Sequence, residues 1–86
     1  MSYRRTTMPA LRLFAAARQA AGTTRDDVPG ATVAEVLAEA RRRYGPGFAA
    51  LLPTCRVWVN GEQADDATVV EAGDEVAVLP PVSGGA

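Results

Sequence analysis

The 86-residue chain contains no histidine and no lysine, and Cys55 is its single cysteine. Without histidine it lacks both the commonest general base and the commonest metal ligand. One cysteine cannot close an internal disulfide, nor build a zinc or iron–sulfur site by itself. Cys55 is therefore expected to be a small buried hydrophobe beside a strand. No apolar run approaches the roughly 20 residues that cross a membrane. The opening stretch, which carries Arg4 and Arg5, is not followed by the apolar run of a signal peptide. A cytoplasmic, reducing location is the expectation. Aromatic residues make up only 6% of the chain. The arginines are not clustered with stacking aromatics, which argues against nucleic-acid binding.

What is present is enough for one small domain. A chain this short buries only about 60–65% of the surface its unfolded form exposes, which leaves little room for a deep catalytic cavity. At 48% hydrophobic and 22% charged residues, it has the composition of a folded protein. The net charge of −1 is unevenly spread. Residues 1–43 hold eight arginines against four acids, and residues 44–86 hold Arg56 against six acids. No internal repeat or linker divides the chain. Residues 1–8 are expected to be a disordered extension, with Met8 an alternative start. Residues 9–82 are expected to form the domain, and 83–86 a flexible tail.

Residues 9–14 begin as an alternating strand, with Leu11 and Leu13 on one side and Arg12 and Phe14 on the other. The run AAARQAA at Ala15–Ala21 is built of helix formers and stops at Gly22. Residues 23–28 read as a second strand, whose Asp26 and Asp27 suit a sheet edge. The clearest helix follows. Thr32 and Glu35 form a T-x-x-E capping box, and Val33, Val36, Leu37 and Ala40 make one apolar stripe. Arg41, Arg42 and Arg43 complement the dipole at its end, and Gly45 with Pro46 terminates it. Residues 48–52 form a short helical turn. Residues 55–59 read as a strand with Val57 and Val59 inward and Arg56 and Trp58 outward. Asn60-Gly61 signals a hairpin, residues 63–64 begin a short return strand and residues 67–70 form a loop or turn. After a turn at residues 72–74, residues 75–79 form the last strand, with Val76 and Val78 opposed to Ala77 and Leu79. Pro80 and Pro81 end the ladder, having no amide to donate. One helix across a small mixed sheet is the economical packing of these elements, an α+β fold. Neither adjacent acidic pair, Asp26–Asp27 or Asp65–Asp66, reads as a catalytic dyad, since neighbours in sequence diverge.

The chain finishes Ser83, Gly84, Gly85, Ala86. Two residues without Cβ make a thin tether able to pass a narrow channel, and the two prolines stiffen its base. A terminal carboxylate becomes an electrophile only after activation, for which it must reach a nucleotide held inside another protein.

The run Gly73-Asp74-Glu75-Val76-Ala77-Val78-Leu79-Pro80-Pro81-Val82-Ser83-Gly84-Gly85 resembles the C-terminal signature of the molybdopterin synthase sulfur-carrier (MoaD/ThiS) family. Residues 13–22 (LFAAARQAAG) resemble that family's first strand and helix, and Val59-Asn60 its "VN" before the hairpin. The likeness spans about residues 11–85. It implies a ubiquitin-like β-grasp fold of four to five strands with one main helix. It further implies that an ATP-dependent adenylating enzyme activates Gly85 and that a persulfide donor converts it to a thiocarboxylate. A large subunit of molybdopterin synthase would then pass the sulfur to a pterin precursor. The carrier itself would bind no cofactor, with ATP used by the activating enzyme, and would contribute no catalytic side chain. Without lysine, it offers no side-chain amine to another copy's activated tail. The family's active form ends at the second glycine, whereas Ala86 follows it here. Removal by a peptidase and a tolerated extension are both open.

Strand parity puts Phe14, Trp58 and Leu79 opposite the expected core residues Leu11, Leu13, Val57, Val59, Val76 and Val78. Together they form a candidate docking patch, with Pro80, Pro81 and Val82 leading from it to the tail. The resemblance implies partner contact for Phe14 and Leu79, and parity alone adds Trp58. Two other functions fit the same features: sulfur delivery to thiamine, cysteine or another metabolite, and a ubiquitin-like interaction module or protein modifier.

Overall fold

The computed structural model describes residues 8–81. In chain order the elements are β1 (Ala10–Leu13), α1 (Ala15–Ala21), β2 (Arg25–Asp27), α2 (Val33–Tyr44), α3 (Pro46–Leu51), a 3-10 turn (Leu52–Thr54), β3 (Arg56–Val59), β4 (Glu62–Gln63) and β5 (Glu75–Leu79). The five strands form one mixed sheet in the order β2-β1-β5-β3-β4. β1 runs parallel to β5, while β2, β3 and β4 pair antiparallel with their neighbours. This is the β-grasp arrangement, with the first and last strands side by side at the centre. The charged β2 lies at an edge, where Asp26 and Asp27 alternate to opposite faces as expected.

The capping box of α2 forms with one change. The Thr32 hydroxyl accepts from the Glu35 amide at 3.2 Å, but the Glu35 carboxylate reaches past the cap to the Ala31 amide at 2.8 Å. The amides of Val33 and Ala34 donate to the carbonyls of Thr68 and Asp66 at 2.9 and 3.0 Å. The 66–68 loop thus satisfies first-turn donors that a lone helix leaves to water. Thr32 also bridges to Val69, which anchors that loop to the helix start. Gly30 precedes the cap, and a Cβ there would stand 2.7 Å from the Val36 amide nitrogen. Only glycine lets the chain pass this close to α2.

The β3–β4 hairpin turns on Asn60 and Gly61, with φ of 52° and 85°. This left-handed pair follows the right-handed twist of the strands. The Asn60 side chain also clasps the turn before β5. Its amide donates to Asp74 at 3.0 Å, and its carbonyl accepts from the Glu75 amide at 2.9 Å. Hydrogen bonds from the Asn60 side chain and the Glu71 amide hold the Asp74 carboxyl below its ordinary pKa.

The core lies between the sheet and α2. All four residues of the α2 stripe are buried, together with Leu11, Leu13, Val76 and Val78. Val57 and Val59 pack against this cluster but are only half-buried, because they lie toward the short β4 edge. Much of the rest comes from loops and short helices: Pro9, Ala17, Val28, Phe48, Leu52 and Val70. Cys55 is half-buried against the core, and burial raises its thiol pKa above the ordinary 9.0.

The arginines ending α2 do more than face the dipole. Arg42 and Arg43 both bind Glu39, and Arg43 reaches Asp26 of β2 at 3.1 Å and the Asp27 carbonyl at 2.9 Å. The Tyr44 hydroxyl donates to Asp26 at 2.6 Å. Burial raises the Asp26 pKa, but the hydrogen bonds from Tyr44 and Arg43 outweigh it and leave the group below 3.8. Burial, then the bond to Asp26, pushes Tyr44 well above its ordinary 10.0. Hydrogen bonds from Arg42 and then Arg43 hold Glu39 down to about 2, from 4.5. A depressed carboxylate stabilises the folded chain above its ordinary pKa, and that contribution is lost as pH falls through the folded value. Glu39→Gln is therefore expected to melt below the parent at pH 7. The gap in melting temperature should narrow from about pH 4.5 and close near pH 2. Parallel thermal melts across that range check it, and a gap independent of pH refutes it.

Candidate docking face and tail

The sheet has one face on α2 and one that carries no helix of the described residues, and strand register assigns the second. One row crosses all five strands: Arg25, Arg12, Ala77, Trp58 and Gln63, each opposite the next. A second row joins Arg56 to Leu79. Extending the parallel register by one residue adds Phe14, whose amide donates to the Val78 carbonyl at 3.3 Å. A third joins Asp27, Ala10 and Glu75.

Phe14, Trp58 and Leu79 thus share a face, as parity predicts, but in two rows. Arg56 stands directly beside Leu79, and Trp58 faces Ala77. Phe14 is 36% exposed, while Trp58 and Leu79 are half-buried. A left-handed junction follows Phe14. Ala15 has φ of 51°, a left-handed conformation that costs a non-glycine residue about 1 kcal/mol or more. It turns the chain from β1 into α1 without a loop. No pattern of apolar residues reports this turn.

Arg12 lies beside Ala77 in the five-strand row. Its guanidinium is 5.3 Å from the Phe14 ring centroid, in cation–π range, and 3.3 Å from a Glu75 carboxylate oxygen. Both partners of that ion pair keep about 40% of their side-chain surface in water, so it adds little stability. Pro80, half-buried, and Pro81, exposed, continue from β5 beyond Leu79. Val82, Gly84, Gly85 and Ala86, the remaining candidate residues, lie outside the described residues, as does Ser83.

Pro81 also borders an open depression lined by Cys55, Arg56, Gln63, Asp65 and Asp66. Asp65 is occupied in its own turn, accepting from the Ala67 amide at 3.0 Å and contacting Thr68. Among the described residues no group of histidine, cysteine or acidic side chains is placed to hold a metal ion. No helix among them is long and apolar enough to cross a membrane. On this face the apolar Phe14, Trp58, Ala77 and Leu79 lie among the charged Arg12, Arg25, Arg56, Asp27 and Glu75.

A sequence model described as the ThiS family matches residues 11–85. The chain is 36% identical over 81 aligned positions to the molybdopterin synthase sulfur carrier subunit of Phaeosphaeria nodorum, covering 84% of each protein. Among solved structures it is similar to SAMP1 from Haloferax volcanii, with a TM-score of 0.82, 30% identity and coverage of 91% and 99% of the two chains. It is similar also to a chain of the Amycolatopsis orientalis BexX/CysO complex, with a TM-score of 0.75, 25% identity and coverage of 88% and 98%.

Proposed function

The chain belongs to the ThiS family, and from that membership we propose that it is a sulfur carrier acting through Gly85 in molybdopterin synthesis. The observation that carries the reading is the extent of the family match, which runs from β1 through both glycines and stops before Ala86. The relative named as a molybdopterin synthase sulfur carrier subunit supports the choice of pathway.

In this reading the folded domain is a handle and the tail is the reactive part. An ATP-dependent enzyme joins the Gly85 carboxylate to AMP, releasing pyrophosphate. The outer sulfur of a persulfide donor then displaces AMP to form an acyl disulfide. A thiol that attacks the donor sulfur forms a disulfide with it and leaves Gly85 as a thiocarboxylate. A large subunit bound to the outer face directs that tail to the pterin precursor. The carrier supplies no acid, base or metal to these steps and works in the cytoplasm. Ala86 must first be removed, since its presence puts the carboxylate on the wrong residue.

The test is incubation with ATP, the activating enzyme of the same organism and a sulfur source, followed by intact-mass measurement. The expected product has lost Ala86, and is heavier than the chain ending at Gly85 by the difference between sulfur and oxygen. A thiocarboxylate on intact Ala86 overturns the trimming step. Conjugates on lysines of other proteins, with no sulfur gained, would instead favour the modifier role suggested by the likeness to SAMP1, named as a small archaeal modifier protein.

The outer face has its own check. Phe14→Ser and Leu79→Ser are each expected to weaken binding to the large subunit by about tenfold or more, as loss of an apolar anchor does. Unchanged affinity in both variants removes the face from the proposal.

A further inference from the structure

The outer face contradicts the charge of the chain that carries it. The whole chain is net −1, yet the strand residues on this face include Arg12, Arg25 and Arg56 against Asp27 and Glu75. Arg12 and Arg25 are also directly opposed across β1 and β2. The Leu13 amide donates to the Thr24 carbonyl and the Val28 amide to the Pro9 carbonyl. These bonds alternate with the Arg12–Arg25 position, which is therefore a non-hydrogen-bonded pair, the kind whose side chains approach most closely. Like charges at such a position destabilise a sheet. Among the described residues Arg12 has one weak counterion, Glu75, itself partly exposed to solvent. Arg25 is exposed at the edge strand. The neighbouring Asp26 does not relieve it, because it points to the other face and is held by Arg43 and Tyr44.

We propose that Arg12 and Arg25 form a carboxylate-receiving pair, fitted to acidic side chains on the protein that covers Phe14, Trp58 and Leu79. The inference rests on the reading of that face as the docking surface and adds the chemistry its partner must present. A protein with an apolar centre and acidic groups to one side complements both halves of the face. The guanidinium pair can receive carboxylates in fork geometry, and docking relieves the repulsion between the two cations. Phe14, already under the Arg12 guanidinium, couples the apolar and charged halves, so Arg12 is ordered before the partner arrives.

The experiment measures dissociation constants for the molybdopterin synthase large subunit of the same organism at low and high salt, with thermal melts of each chain. The chains are the parent, Arg25→Gln, Arg12→Gln/Arg25→Gln and Phe14→Ser. The double variant is expected to bind about tenfold more weakly at low salt, with a flattened salt dependence. Its melting temperature should equal or exceed the parent's. Arg25→Gln should show about half the loss on a logarithmic scale, and Phe14→Ser should weaken binding at both salts. If only Phe14→Ser weakens binding, the arginine inference is overturned and the docking face stands. If no variant changes affinity, or the parent does not bind, the docking reading fails and this inference with it. An oligonucleotide bound by the parent and lost by the double variant, with large-subunit affinity intact, also overturns it.

Discussion

A chain lacking Gly84 and Gly85 is expected to fold as the parent does and to carry no sulfur. Among the described residues the buried core is drawn from Pro9 to Val78, so the deletion should leave the melting temperature unchanged. Sulfur transfer should nevertheless fall to background, because in the proposed function the reacting group is the Gly85 carboxylate. No side chain can substitute for a terminus that no longer reaches a nucleotide in another active site. A chain ending at Gly85 should, by contrast, be charged with sulfur without any peptidase, while Gly85→Ala in that background adds a Cβ to the proposed reacting end and should be charged more slowly. Intact-mass measurement after reaction with ATP, activating enzyme and sulfur source reads all three. Full charging of the glycine-deleted chain would remove the basis of the proposed function.

Phe48→Ala is expected to have the opposite effect, strongly destabilising the fold without touching the outer face of the sheet. Phe48 is fully buried and makes an edge-to-face contact with Tyr44, ring centroids 5.1 Å apart. Removing a buried phenylalanine typically costs about 3–5 kcal/mol. A domain of this length has only about 4–13 kcal/mol at 0.05–0.15 kcal/mol per residue. With roughly 4–8 °C lost per kcal/mol, the melting temperature should fall by tens of degrees. Circular-dichroism melts check it, and a fall of only a few degrees would show that the site collapses to fill the hole. Phe14→Ser makes the comparison sharp, since Phe14 is 36% exposed. Its loss should appear in partner affinity rather than in melting.

These two phenylalanines show where sequence reading succeeds and where it stops. Phe14 was legible because strand alternation separates it from Leu11 and Leu13, and β1 is regular. Phe48 lies in α3, too short to display a stripe, so nothing local marks it as the largest side chain of the core. Pro9, Val28 and Val70 are buried outside any strand or helix for the same reason. Val57 and Val59 have the right parity but are only half-buried, because burial depends on distance from the sheet edge as well as on alternation. The arginine run of α2 was explained by the helix dipole alone. Its bridge from Glu39 to Asp26 requires knowing that β2 passes beside the end of that helix.

By itself the sequence determined the order and kind of the main elements, the capped stripe of α2, the strand parity, the Asn60-Gly61 turn and the two-glycine end. These depend on interactions within a few residues, which periodicity and capping rules describe. Tertiary structure alone decided the register. It set Arg12 against Arg25, put Arg56 rather than Trp58 beside Leu79, and drew the loop cores together. Such pairings join residues far apart in the chain, and their energies depend on which strands become neighbours.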